Sequence, residues 1–189
     1  MTAYHHRQSI RLRDYDYSQN SAYFVTICTH QGTGLFGDVV DGDMVLNEWD
    51  KIVQSCWHAI PEHYPTAELD TFVIMPNHIH GIIVIKNGNV EAQDIAPLQP
   101  TDQPTRGATS TNVTPNSLGS IVRSFKAAVT RRIRQSLPMD DHTAIWQRNY
   151  YEHIIRNQES FNQIREYIVH NPGKWTEDIL FSSLMDHDQ

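Results

Sequence analysis

The sequence predicts an α+β domain of ferredoxin-like type, an antiparallel sheet with helices packed mainly on one face. Three observations carry that expectation. Residues 21–30, 68–75 and 78–85 alternate or run apolar with many β-branched and aromatic residues, as strands do. Stretches of helical period lie between them. Two of the strand runs are separated only by Pro76-Asn77, which is far too short for a parallel crossover.

In chain order, residues 1–20 are polar and read as an arm. SAYFVTICTH (21–30) is the first strand. LFGDVVDGDMVL reads as a hairpin, with Asp41-Gly42 as its turn. Asn47 can cap a helix whose Trp49, Ile52, Val53, Cys56, Trp57 and Ile60 recur at three- and four-residue steps, and Pro61 and Pro65 are expected to end it. ELDTFVIM and HIHGIIVI are the second and third long strands. Residues 87–116 change character, with Pro97, Pro100, Pro104, Pro115 and five threonines, and read as a flexible insertion within one domain spanning 1–189. SLGSIVRSFKAAVTRRIRQ then sets Leu118, Ile121, Val122, Phe125, Val129 and Ile133 on one helical face. AIWQRNYYEHII reads as extended or a short strand. A last helix runs from Glu159 to about His170, with Phe161, Ile164, Tyr167 and Ile168 on one face and Pro172-Gly173 as its stop.

A chain of 189 residues can bury a core of ordinary size, so no disulfide or metal is needed to hold it together. No apolar run approaches the ~18–20 residues of a membrane span. The polar start carries no apolar stretch of the signal-peptide kind. Cys28 and Cys56 sit in apolar surroundings without CxxC spacing and read as reduced core residues, which with the polar start points to a cytoplasmic protein. Net charge is −7, which taken alone argues mildly against a nucleic-acid binder. The distribution is uneven, however. Ser117 to Ser136 holds Arg123, Lys126, Arg131, Arg132 and Arg134 and no acid, and Arg7, Arg11 and Arg13 lie near the start.

Four features bear on chemistry. His78 and His80 are two apart on a strand, so both imidazoles project from one face, where they can hold one divalent metal and leave positions open; two surface histidines beside a turn would show the same spacing. Gly81 next to them would admit a ligand or another chain. Tyr167 and Asn171 are four apart on the last helix; the phenol can serve as a nucleophile and the amide oxygen as a metal ligand, or the pair can be a core tyrosine and a helix terminator. In WQRNYYEH, Tyr151 and His153 share one face of an extended chain, and Tyr150 and Tyr151 are rival tyrosine nucleophiles or stacking platforms for bases. The cationic helix, with Arg123, Lys126, Arg131 and Arg132, can track phosphates or be a solvated face.

Taken together, PNHIHGIIV, IWQRNYYEHIIRN, YIVHNPGKW and the N-terminal RQSIRLRDYDYSQNSAYFVTICTH resemble the REP-associated tyrosine transposases, within the single-tyrosine HUH (His-hydrophobe-His) endonucleases of bacterial insertion sequences. The resemblance covers nearly the whole chain outside 87–116. It implies a ferredoxin-like fold and metal-dependent cleavage and transfer of single-stranded or hairpin DNA through a tyrosine 5′-phosphate intermediate. It also implies His78, His80 and Asn171 as ligands of Mg2+ or Mn2+ and Tyr167 as the nucleophile. Related insertion-sequence enzymes can build their sites across a homodimer. His153 and His170 are the imidazoles that could assist the phenol. Two other readings share some of these residues: a DNA-binding domain without cleavage, and a small metal-dependent phosphodiesterase using activated water.

Overall fold

The computed structural model describes residues 15–86, 114–138, 141 and 143–177. Its centre is a four-stranded antiparallel sheet built from β1 (Ser21–Cys28), β4 (Ala67–Met75), β5 (His78–Ile85) and β6 (Tyr151–Ile155), in the order β4-β5-β1-β6. A separate two-stranded hairpin pairs β2 (Gly37–Val40) with β3 (Asp43–Leu46). Asp41 and Gly42 form its turn with positive φ at both positions, the backbone that a two-residue hairpin loop demands. Helix α1 (Glu48–His58) follows β3, and α3 (Leu118–Gln135) precedes β6. The large sheet and these two helices are therefore threaded strand-helix-strand-strand-helix-strand, the expected ferredoxin-like order.

Asn47 does cap α1, its side chain accepting from Trp49 N at 2.8 Å and Asp50 N at 3.3 Å. Pro61 does not simply stop the chain. It lies in the first turn of a four-residue helix, α2 (Ile60–His63), where a missing N–H costs nothing. Of the WQRNYYEHII segment only the last five residues, β6, pair continuously with the sheet. Trp146 makes a single bridge to Thr29.

Side-chain alternation divides the sheet into two faces. Tyr23, Val25 and Ile27 of β1, Ile79, Ile83 and Ile85 of β5, and Ile154 of β6 meet α1 and α3 in the main core. Ala22, Ile82 and Ile155 face the other way and meet Ile168 of the last helix, α4 (Gln158–His170). Among the described residues two helices thus cover one face, and α4 crosses the other. Gly81 lies on the first face. A Cβ there would come within 2.4 Å of the Trp57 ring, so the close approach expected at this glycine is made by α1 rather than by a ligand. Cys28 and Cys56 are buried and are not joined in a disulfide. Among the described residues no helix is long and apolar enough to cross a membrane. Most of the 87–116 insertion, the arm as far as residue 14 and the C-terminal acids from Asp178 onward lie outside the described residues.

Candidate active site

β4 and β5 meet at a tight Pro76-Asn77 turn that the neighbouring loop grips. Leu35 N and Phe36 N donate to Pro76 O at 2.8 and 3.1 Å, and Thr29 N donates to Asn77 O at 2.8 Å. His78 and His80 leave this turn on the α4 face, both buried. Their Nε2 atoms converge at 3.0 Å. The outer nitrogens are both held: His78 Nδ1 lies 2.7 Å from Asn77 Oδ1, and His80 Nδ1 lies 2.8 Å from Thr26 Oγ1. An amide oxygen only accepts, so His78 Nδ1 carries its proton and His78 Nε2 presents a lone pair. Burial pushes the His78 pKa down to about 3, which keeps that imidazole neutral at physiological pH.

Tyr167 projects from α4 over this pair. Its hydroxyl is 3.3 Å from His80 Nε2, and its ring is 44% exposed. The Phe24 ring touches both rings, with centroids 5.2 Å from His80 and 6.0 Å from Tyr167. One turn further along α4 stands Asn171, 2% exposed, whose Oδ1 has no hydrogen-bond partner. A buried, unsatisfied carbonyl costs on the order of 1–3 kcal/mol unless something else engages it. Trp175, in the turn after α4, stacks obliquely on His78 with centroids 5.8 Å apart.

The donors fit a divalent cation. Two imidazole nitrogens already converge through Nε2, their Nδ1 atoms are anchored as metal-binding histidines usually are, and a buried amide oxygen awaits a partner. Among the described residues no group of three or more His, Cys, Asp or Glu side chains is placed to share a metal ion.

No protein-family model matches the chain. An uncharacterized protein of Haemophilus influenzae is 45% identical over 179 residues, 94% of each chain. A second protein of that bacterium, provisionally named a REP-associated tyrosine transposase, is 28% identical over 160 residues, 84% of this chain and 74% of its own. The chain is thus similar to a protein that carries the REP-associated tyrosine transposase name. A solved structure of a REP-associated tyrosine transposase bound to a REP hairpin shares the fold, with a TM-score of 0.56 and 19% identity over 87% of this chain and 73% of the other.

The cations are placed elsewhere in this chain. Helix α3 packs on the sheet face opposite the histidines. Arg123 and Arg131 are exposed on its outer side. Arg132 donates to Ser55 Oγ of α1 at 2.9 Å. Lys126 is a tether, its Nζ donating to Gln147 O at 2.9 Å and Asn149 O at 2.8 Å, and burial lowers its pKa to about 8. Beside it Ala127, Thr130, Arg131, Arg134 and Trp146 line a shallow groove of about 460 Å³. The two tyrosines of WQRNYYEH point to opposite sides. Tyr150 is half-buried against the α3 core, with Lys126 Nζ 5.9 Å from its ring centre. Tyr151 pairs with Thr26, itself paired with His80, so it stands on the α4 face. His153 is on that face too, paired with Phe24. His170 is exposed on α4 and faces Glu166 O at 2.8 Å.

Three contributors were invisible in the sequence. Thr26 and Asn77 orient the imidazoles. Arg165 of α4 holds Asp70 of β4, with Nε on Oδ1 at 2.6 Å and Nη2 on Oδ2. The alternation of SAYFVTIC signalled which face Thr26 occupies but not its register.

Proposed function

We propose that this protein is a metal-dependent endonuclease and strand transferase for single-stranded or hairpin DNA, with Tyr167 forming a transient 5′-phosphotyrosine. The observation that most supports this is the Tyr167 hydroxyl 3.3 Å from His80 Nε2 within one chain, on a side chain that solvent reaches. The hairpin bound by the REP-associated transposase of similar fold is in keeping with such a partner.

His78 and His80 would hold Mg2+ or Mn2+ through Nε2, and Asn171 would add its Oδ1; the mixed nitrogen and oxygen set suits Mn2+ better. The ion would draw charge from the scissile phosphate during displacement. The Tyr167 oxygen attacks phosphorus in line. The new O–P bond forms as the P–O3′ bond breaks, the phenolic proton passes to water, and the leaving oxygen takes up a proton as a 3′-hydroxyl. The number of phosphoester bonds is unchanged, so a second 3′-hydroxyl reverses the step and joins new ends without a nucleotide cofactor. Arg123 and Arg131 would carry phosphates of more distant DNA on the α3 side.

The test is a labelled DNA hairpin with single-stranded flanks, incubated with Mn2+ or Mg2+ and then denatured. A covalent adduct that disappears in Tyr167→Phe is expected. An adduct that survives that change but is lost in Tyr151→Phe would move the nucleophile to β6. Cleavage without an adduct would replace the scheme with hydrolysis by activated water, and binding without cleavage would leave a DNA-binding domain.

A further inference from the structure

We infer that Tyr151 forms a stacking site for the base on the leaving side of the scissile phosphate; this rests on Tyr167 being the nucleophile. One transverse row of the sheet runs Val73, His80, Thr26, Tyr151, all projecting from the α4 face. Strand spacing of ~4.8 Å sets Tyr151 about 10 Å from His80 across the sheet, within reach of the base beside a phosphate held at the imidazoles. Around that phosphate most sides are filled. Helix α4 lies over β4, fixed there by Arg165 and Asp70. Trp175 closes the end beyond His78. Phe24, Ile82 and Ile168 close the other end. What remains among the described residues is the side over β1 and β6, where Tyr151 is 38% exposed on the edge strand.

In-line displacement puts entering and leaving oxygens on opposite sides of phosphorus. Tyr167 enters from α4, so the P–O3′ bond points away from α4, toward β6. The nucleotide that keeps this 3′-hydroxyl then lies over Tyr151, and a flat ring there takes any base by its π-face. A held 3′-end is also the group that must return for rejoining. Tyr150 cannot do this, since its ring packs against the opposite face.

The experiment has two arms. Binding of fluorescent dT20 in Mn2+ is measured in the Tyr167→Phe background, which cannot form the adduct. Tyr151→Ala should weaken binding about tenfold and Tyr151→Phe less than about twofold, because the ring and not the hydroxyl stacks. In the chain with Tyr167 intact, the flanked hairpin is cleaved and the 3′-hydroxyl fragment followed under native conditions. Tyr151→Ala should release it faster and lower rejoining more than cleavage. Equal dT20 binding by Tyr151→Ala, equal weakening by both substitutions, or unchanged release of the 3′-fragment would each overturn the assignment. If no adduct forms with Tyr167 intact, the nucleophile reading fails and the leaving-side assignment with it, while the dT20 arm still shows whether the ring binds bases.

Discussion

Arg165 on α4 and Asp70 on β4, 95 residues apart in sequence, form a two-point ion pair that fastens the helix bearing Tyr167 to the sheet bearing the histidines. Asp70 also accepts from Thr71 Oγ1, and the Arg165 guanidinium lies 4.8 Å over the Phe161 ring. The rest of the attachment is thin, because Ile168 is the one fully buried residue of α4.

Asp70→Asn should therefore loosen α4 before anything else. Arg165 is about half exposed, so the loss in stability is expected near ~1 kcal/mol. Adduct formation should slow by roughly fivefold, as for a barrier raised by about 1 kcal/mol, while Mn2+ affinity is unchanged. Hydrogen exchange of α4 amides and single-turnover rates check both. The guanidinium holds the Asp70 carboxyl down at about 2. Its contribution is complete above the ordinary carboxylate pKa near 4 and disappears as pH falls through 2.

Thr26 has a different task. With a cation on both Nε2 atoms, His80 Nδ1 must donate and Thr26 Oγ1 must accept; without it, the hydroxyl can donate instead and let His80 Nε2–H point at His78. Thr26→Val removes both options. Mn2+ affinity by calorimetry should fall 10- to 100-fold, roughly the effect of losing such an outer partner, and Thr26→Ser should recover most of it.

Acid should destabilise the metal-free protein through His78. Its folded pKa of about 3 lies below the ordinary value of 6.5. Between those values the unfolded chain binds a proton that the folded one refuses. Stability is full above pH 6.5 and declines toward pH 3, by up to ~1.4 kcal/mol per pH unit. Denaturant titrations from pH 7.5 to 4.5 should show this slope, and His78→Gln should flatten it. At neutral pH, Mn2+ at ~100 times its dissociation constant should add about 2.7 kcal/mol, which a chelator removes.

The α3 cations should separate by role. Arg123→Ala and Arg131→Ala should each reduce the slope of log affinity against log salt by about 0.7–0.9. Lys126→Met should leave that slope nearly unchanged and lower the melting temperature, since its ammonium serves Gln147 O and Asn149 O.

Much of this was readable from local pattern. Asn47 as a cap, Asp41-Gly42 as a turn, the stripe from Leu118 to Ile133 and the shared side of His78 and His80 all depend on periodicity within one element. What spacing could not supply is register between elements. It could not tell Tyr150 from Tyr151, whose sides are fixed only by the pairing of β6 with β1. Nor could it pair Asp70 with Arg165 or Thr26 with His80. Lys126 looked like any exposed cation of its helix, because the carbonyls it serves come from 21 and 23 residues further on.

Trp57 fills the place where residue 81 has no side chain, so the strand that carries both imidazoles is wedged from behind. A methyl group at 81 would meet an indole ring on one side while the imidazoles are fixed on the other. Positions 57 and 81 therefore form a lock of two parts: a route by single mutations to any larger residue at 81 must first pass through a smaller one at 57, leaving a void in the centre of the protein. The side of the sheet that carries the imidazoles is thus guarded against drift by a contact made on its opposite face.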